Sequence, residues 1–227
     1  MPEGFEEVEQ RGELELAAYV RSELEPVLRE AFGPVAAADV PAGWADAWRR
    51  FHRPVHVGPL WVGPPWEESS HGSLAVVIDP GRAFGTGGHP TTQLCLSLLA
   101  EERRGALLDV GCGSGVLAIA AARLGFEPVR AFDFDPQAVE ATARNATDNG
   151  VAIDVRQADL RDGELPDSDL AVANIAADAV LALAPSLRSP RVITSGYLVS
   201  DEVELPGYRH ERRVQDGGWA ADLHVRE

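Results

Sequence analysis

Leu107-Leu108-Asp109-Val110-Gly111-Cys112-Gly113-Ser114-Gly115-Val116-Leu117-Ala118-Ile119-Ala120-Ala121-Ala122 is the stretch on which the fold turns. Leu107 to Val110 fits a buried parallel strand. The glycines let the chain turn tightly with its backbone open to a ligand, and the alanine-rich run fits the helix that follows. Asp133 closes the next apolar run, 24 residues after Asp109, where a carboxylate suits the hydroxyls of a ribose. The unit predicts a nucleoside-cofactor site, and the glycine spacing separates the cofactors. A dinucleotide fingerprint needs Gly-x-Gly-x-x-Gly with pyrophosphate on the helix N-terminus. Here the third glycine comes one place early, and Asp109 sets a negative charge just before the loop. That charge repels pyrophosphate but tolerates or favours the sulfonium and ammonium of S-adenosylmethionine, which has no phosphate.

Outward from this unit the alternation is regular. Strands are expected at 106–109, 129–133, 152–156, 169–174 and 191–195, with helices at 115–124, 136–149 and 178–187. This is the pattern of an open, parallel, Rossmann-like α/β sheet covered on both faces. The tail from Tyr208 to Arg213 and Trp219 to Arg226, joined through Asp216-Gly217-Gly218, predicts a β-hairpin closing the sheet. This domain is expected to span 73–227. It opens with a strand over Ser73 to Asp79, then runs through a glycine-rich loop into a helix ending near Glu101.

Residues 1–43 form a small α/β module in this reading. It holds a hairpin around Arg11-Gly12, a helix from Ser22 to about Phe32 and a strand over Val35 to Val40. Residues 44–72 are an interdomain helix and linker. Trp44, Trp48 and Phe51 fall on one helical face, and Pro54, Gly58, Pro59, Gly63, Pro64 and Pro65 punctuate an extended segment holding a strand at Leu60 to Val62.

The 227 residues, 45% of them hydrophobic, suffice for a full core. No apolar run approaches the roughly 20 residues of a membrane span. Met1-Pro2-Glu3-Gly4 lacks the features of a signal peptide, so a cytoplasmic location is expected. Cys95 and Cys112 are too few for a disulfide framework and show no metal-ligand spacing. The formal charge is −16 and all 20 basic residues are arginine. Such a surface argues against nucleic acid as the main partner and suits a basic protein substrate, although acidity also serves solubility. Arg209, Arg212 and Arg213 alternate with acidic and polar residues, as on a solvated strand face.

In an open parallel sheet the ligand lies outside the carboxyl ends of the strands. Gly111, Gly113 and Gly115 follow the first strand, Asp133 ends the second, Asp159 follows the third and Asn174 ends the fourth. Asp133 is expected on the ribose hydroxyls, and either Asp159 or a neighbouring backbone group on the adenine amino group. Asp135, before Pro136, reads as a helix cap. The loop Phe84-Gly85-Thr86-Gly87-Gly88-His89-Pro90-Thr91-Thr92 lacks the lysine of a triphosphate site and reads as a cover over the cofactor opposite Asp133. His89 has no partner at metal-ligand spacing and reads as a turn or helix-start residue. Ala173-Asn174-Ile175-Ala176 lacks the prolines and aromatic ring that hold a planar substrate. Its Asn174 suits orientation of a flexible amine by accepting an N–H hydrogen bond, the rival role being stabilisation of its own turn.

Together these residues resemble the ribosomal protein L11 methyltransferase family. Asp79 to Thr92 looks like the family's own loop, Asp109 to Leu117, Asp133 to Pro136 and Ala173 to Ala176 follow in its order, and Trp48-Arg49-Arg50-Phe51-His52-Arg53-Pro54 matches its interdomain segment. The resemblance implies transfer of methyl groups from S-adenosylmethionine to amino groups of a large-subunit ribosomal protein. It implies that Thr92, Gly111, Asp133 and Asn174 contact the cofactor. Phe84 would wall the methyl side and Asn174 would aim the acceptor amine, with no metal. The family begins with a complete ferredoxin-like recognition domain, of which this chain is expected to lack the first strand and helix. That departure leaves open another protein or a small amine as acceptor, or a cofactor-binding module without activity.

Overall fold

The computed structural model describes residues 5–10, 13–18, 29, 52–80, 85–159 and 165–227. Phe84, the expected helix over Trp44 to Phe51 and, apart from Arg29, the expected elements between Ser22 and Val40 lie outside these residues. The chain divides into two compact units between Ala47 and Trp48. In the first, β1 (Phe5–Gln10) and β2 (Glu13–Ala18) pair antiparallel, Gln10 opposite Glu13, as the hairpin around Arg11-Gly12 requires.

The second unit is an α/β fold built on a seven-stranded sheet. Its strands are β6 (Leu107–Val110), β7 (Val129–Asp133), β8 (Asp154–Gln157), β9 (Leu170–Asn174), β10 (Arg191–Leu198), β11 (Tyr208–Asp216) and β12 (Trp219–Arg226), in the order β11-β12-β10-β9-β6-β7-β8. The five from β6 to β10 run parallel. β12 is antiparallel to both β10 and β11, so the expected tail hairpin forms and seats its second strand beside β10. From β6 the chain winds outward through β7 and β8, then returns to β9 on the other side of β6. The crevice between the ends of β6 and β9 is therefore the switch point where such sheets hold ligands.

Alternation along the strands feeds two cores. Leu107, Leu170, Val172 and Ile193 face α1 (Pro90–Glu101) and α2 (Val116–Leu124), while Leu108, Val110, Ala171, Ala173 and Val192 face α4 (Ala177–Leu183). In α1, Pro90 takes the first turn and the His89 side chain caps it, so His89 is the helix-start residue expected. In α3 (Pro136–Asp148) the Asp135 carboxylate accepts from the Gln137 amide at 2.9 Å, the expected cap. A second sheet, β3 (Val55–Val57), β4 (Leu60–Gly63) and β5 (Leu74–Val77), sends Leu60, Val62 and Val76 into the α1–α2 core.

The C-terminal arginines correct one expectation. Arg212 pairs with exposed Glu101 and Arg209 with Glu211, but Arg213 reaches inward and holds Asp222, whose side chain is 0% exposed. No helix among the described residues is long and apolar enough to cross a membrane.

Candidate functional site

The glycine loop closes β6 against β7. The amides of Gly111 and Cys112 both donate to the Phe132 carbonyl, at 2.8 and 3.0 Å, and the Gly113 amide donates to Asp133 Oδ2 at 2.9 Å. Gly111 has φ +76°, and a Cβ there would come within 2.6 Å of Ile175 Cγ2. Across the crevice Gly196, at φ +102°, forms a bulge in β10 that lies against the backbone of Ile175. Backbone therefore forms the floor where side chains would fill it, as a bulky nucleoside ligand needs.

Above this floor lies a cavity of about 790 Å³, within the range of small-molecule sites. It collects Thr92 from α1, Gly111 and Gly113 from the loop, and Asn174 from the end of β9, so four of the expected site residues meet there. Asn174 Nδ2 donates to Thr92 Oγ1 at 3.3 Å, and Thr92 is buried. The Asn174 amide is thereby oriented, leaving its oxygen as an acceptor beside Ile175 and Ala176.

Asp133 stands behind the loop and not in the cavity wall. It is 7% exposed, and its other oxygen accepts from the Asp135 amide at 3.0 Å. Each carboxylate oxygen retains a lone pair for a hydroxyl group. Asp159 is an exposed residue beyond β8, also outside the cavity wall.

Asp109 departs from the expectation drawn for it. Leu107 and Asp109 share the face turned to α2, so the side chain is 1% exposed and Oδ2 accepts from the Ala118 amide at 3.0 Å. Burial, with repulsion from Asp133, pushes its carboxyl up to about 7, against one backbone hydrogen bond that lowers it. Asp109 therefore anchors the helix, and among the described residues no carboxylate lines the cavity. Burial likewise pushes the Cys112 thiol up to about 12, which keeps it protonated and unreactive.

His89 and Trp219 complete the wall, their rings edge to face with centroids 4.8 Å apart. Trp219 is a wall residue that reading the sequence missed. Its only local signal is the turn before it, where Gly217 and Gly218 both take positive φ. Among the described residues no cluster of three or more His, Cys, Asp or Glu is arranged to hold a metal.

Residues 33–224 match the family model described as ribosomal protein L11 methyltransferase (PrmA). The chain belongs to this family. It is 48% identical over 189 residues to the ribosomal protein L11 methyltransferase of Symbiobacterium thermophilum, covering 81% of this chain and 62% of that protein. Its likeness to the Lacticaseibacillus paracasei enzyme is 39% over 241 residues, covering 97% of this chain and 76% of the other. The crystal structure of the ribosomal protein L11 methylase from Lactobacillus delbrueckii subsp. bulgaricus superposes with a TM-score of 0.66 at 29% identity. That match covers 78% of this chain and 100% of that one. The Rossmann-like α/β fold read from the sequence is thus the fold of the family. The chain spans 64% of the length of the Pelotomaculum thermopropionicum relative and 62% of the Symbiobacterium one.

Proposed function

We propose that the protein transfers methyl groups from S-adenosylmethionine to amino groups, of a lysine side chain or an N-terminus, on ribosomal protein L11. The observation that carries this is the Thr92–Asn174 pair standing across one cavity from the glycine loop, in a chain of this family. Gly111, Gly113 and Thr92 would hold the cofactor, Asp133 its ribose hydroxyls, and Asp159 or a nearby backbone group its adenine; Phe84 would wall the methyl side. When bound, S-adenosylmethionine supplies an electrophilic methyl on a sulfonium.

The chain's part is positioning and desolvation. A lysine amine has an unperturbed pKa of about 10.4 and attacks only when neutral. Val116, Leu117 and Ile175 give the cavity apolar walls that disfavour the ammonium form. The Asn174 oxygen accepts one N–H of the neutral amine and aims its lone pair. Bulk solvent accepts the proton that the methylated amine sheds. The charge of −16 supports a basic protein as acceptor, drawn in by long-range attraction.

Calorimetry with S-adenosylmethionine, its demethylated product and a nicotinamide dinucleotide tests the cofactor. Binding of the first two and not the third is expected, and the reverse overturns the proposal. Labelled S-adenosylmethionine with purified L11, and separately with a ribosome-free lysate, tests the acceptor. Label in another lysate protein and none in L11 would favour a different substrate. Asn174→Ala is expected to lower turnover more than it weakens cofactor binding, because its hydrogen bond acts chiefly in the transition state.

A further inference from the structure

Thr142 and Asn145 on α3 and Asn149 at its C-cap follow one another at the spacing of a single helix face, and all three are buried, at 0%, 4% and 4% exposure. A buried helix face is ordinarily apolar, and each polar group on this one has found a specific backbone partner. Thr142 Oγ1 donates to the Gly113 carbonyl at 3.0 Å. Asn145 Nδ2 donates to the Ser114 carbonyl at 2.8 Å, while its Oδ1 accepts from the Asp79 amide at 3.3 Å. Asn149 accepts from the Val77 amide at 2.9 Å and donates to the Val77 carbonyl at 2.6 Å, touching no part of the glycine loop. The Ser114 hydroxyl donates to the Gly85 carbonyl.

We infer that Thr142 and Asn145 are positioning residues for the cofactor: they hold the back of the glycine loop, and Asn145 ties it to the strand end that leads toward the Gly85–Thr86 wall. The loop bonds to Phe132 and Asp133 restrain its front through amides. The Thr142 and Asn145 bonds restrain the next two peptide groups through the Gly113 and Ser114 carbonyls, so successive peptide planes along the loop are each held. Contact is close, since a Cβ on Gly115 would come within 2.8 Å of Thr142 Cγ2. A loop held this way meets its ligand with little ordering left to do, which is where preorganisation gains affinity. Neither residue lines the cavity, so each acts through the loop.

The inference rests on the cavity being the S-adenosylmethionine site. Its test uses the full chain and titrates S-adenosylhomocysteine calorimetrically, with thermal unfolding measured beside it. Thr142→Val keeps the shape and removes the hydroxyl; it is expected to weaken binding on the order of tenfold by leaving the Gly113 carbonyl unpaired. Thr142→Ser restores the hydroxyl and is expected to restore affinity. Asn145→Ala should weaken binding at least as much. Asn149→Ala is the structural control, expected to lower the unfolding temperature and leave affinity unchanged. If the parent chain fails to bind, the reading of the site falls. If the parent binds and Thr142→Val and Asn145→Ala lose only thermal stability, as Asn149→Ala does, the positioning role is overturned.

Discussion

Two strands of the sheet, β6 and β12, each bury an aspartate, and the two carboxyl groups are driven in opposite directions. At the glycine-loop end Asp109 has one backbone amide for company and Asp133 nearby, and burial leaves its carboxyl near 7. In the C-terminal hairpin, burial also pulls the Asp222 carboxyl upward. There the hydrogen bonds from Arg213, His210 and Tyr197 together outweigh burial and hold it below the ordinary range. Arg213 contributes two of these bonds, at 2.8 and 2.9 Å, and His210 Nε2 and Tyr197 Oη each lie 2.8 Å from the carboxylate. Next to them His224, 1% exposed, is pushed down to about 4 chiefly by burial and stands neutral beside Thr194. The contrast separates two ways of building a buried polar site: the hairpin keeps a charge by surrounding it with donors, and the loop end leaves its buried Asp109 with a single donor and shapes its ligand site from backbone.

The largest effect expected from this contrast concerns Asp109. In the unfolded chain its carboxyl ionises near 3.9, and in the native state near 7. Between those values the native state binds more protons, so this group's stabilising contribution falls as pH rises from about 4 to 7 and is level above that. Asp109→Asn cannot titrate, and it approximates the protonated acid. Unfolding free energies from urea titration of the two proteins should therefore diverge in the variant's favour across that window, by on the order of 4 kcal/mol if the native carboxyl ionises near 7. His224 and Asp222 titrate in both proteins and drop out of the difference. A difference independent of pH would remove one side of the contrast.

Arg213→Met tests the other side. The substitution leaves Asp222 buried with its principal partner gone, and because Arg213 itself is partly exposed the cost falls toward the low end of such cases, about 3 kcal/mol. Affinity for S-adenosylhomocysteine should be unchanged, since neither residue lines the cavity. A loss below about 1 kcal/mol in denaturant unfolding would mean that His210 and Tyr197 alone hold the carboxylate.

The same contrast explains what the sequence disclosed. The glycine loop, its flanking strand and helix, and the Asp135 cap are local patterns, and they appear within a residue or two of expectation: β6 at Leu107–Val110 against 106–109, and α3 at Pro136–Asp148 against 136–149. Asp222 on β12 gathers its partners from the two strands beside it, β10 and β11, whose order is not written in any one of them, so Arg213 reads as solvated. Trp219 enters the cavity wall only because β12 inserts beside β10. Thr142 and Asn145 look like the wet face of a helix until the loop carbonyls they serve are placed against them. β3 hides among the prolines and glycines of 54–65, with too few residues to show a period. Asp109 was legible as a carboxylate at a strand end, but which face it took depended on the pleat.

The smallest effect expected is at Gly111, and it asks whether the loop end depends on backbone space as the hairpin depends on charge. Alanine at φ +76° carries a steric cost of about 1–2 kcal/mol, and its methyl would need Ile175 to move. For a chain of this length, 1 kcal/mol lowers the unfolding temperature by about 2–4 °C. Because Gly111 and Ile175 both line the cavity, the displacement falls where the ligand sits, and affinity for S-adenosylhomocysteine should drop on the order of tenfold, about 1.4 kcal/mol. Gly111→Ala and Arg213→Met then form a crossed pair: the first lowers affinity with a modest loss of stability, the second lowers stability and spares affinity. Should Gly111→Ala lose stability while binding as the parent does, the glycine would serve the turn alone, and the backbone floor of the cavity would not be what admits the ligand.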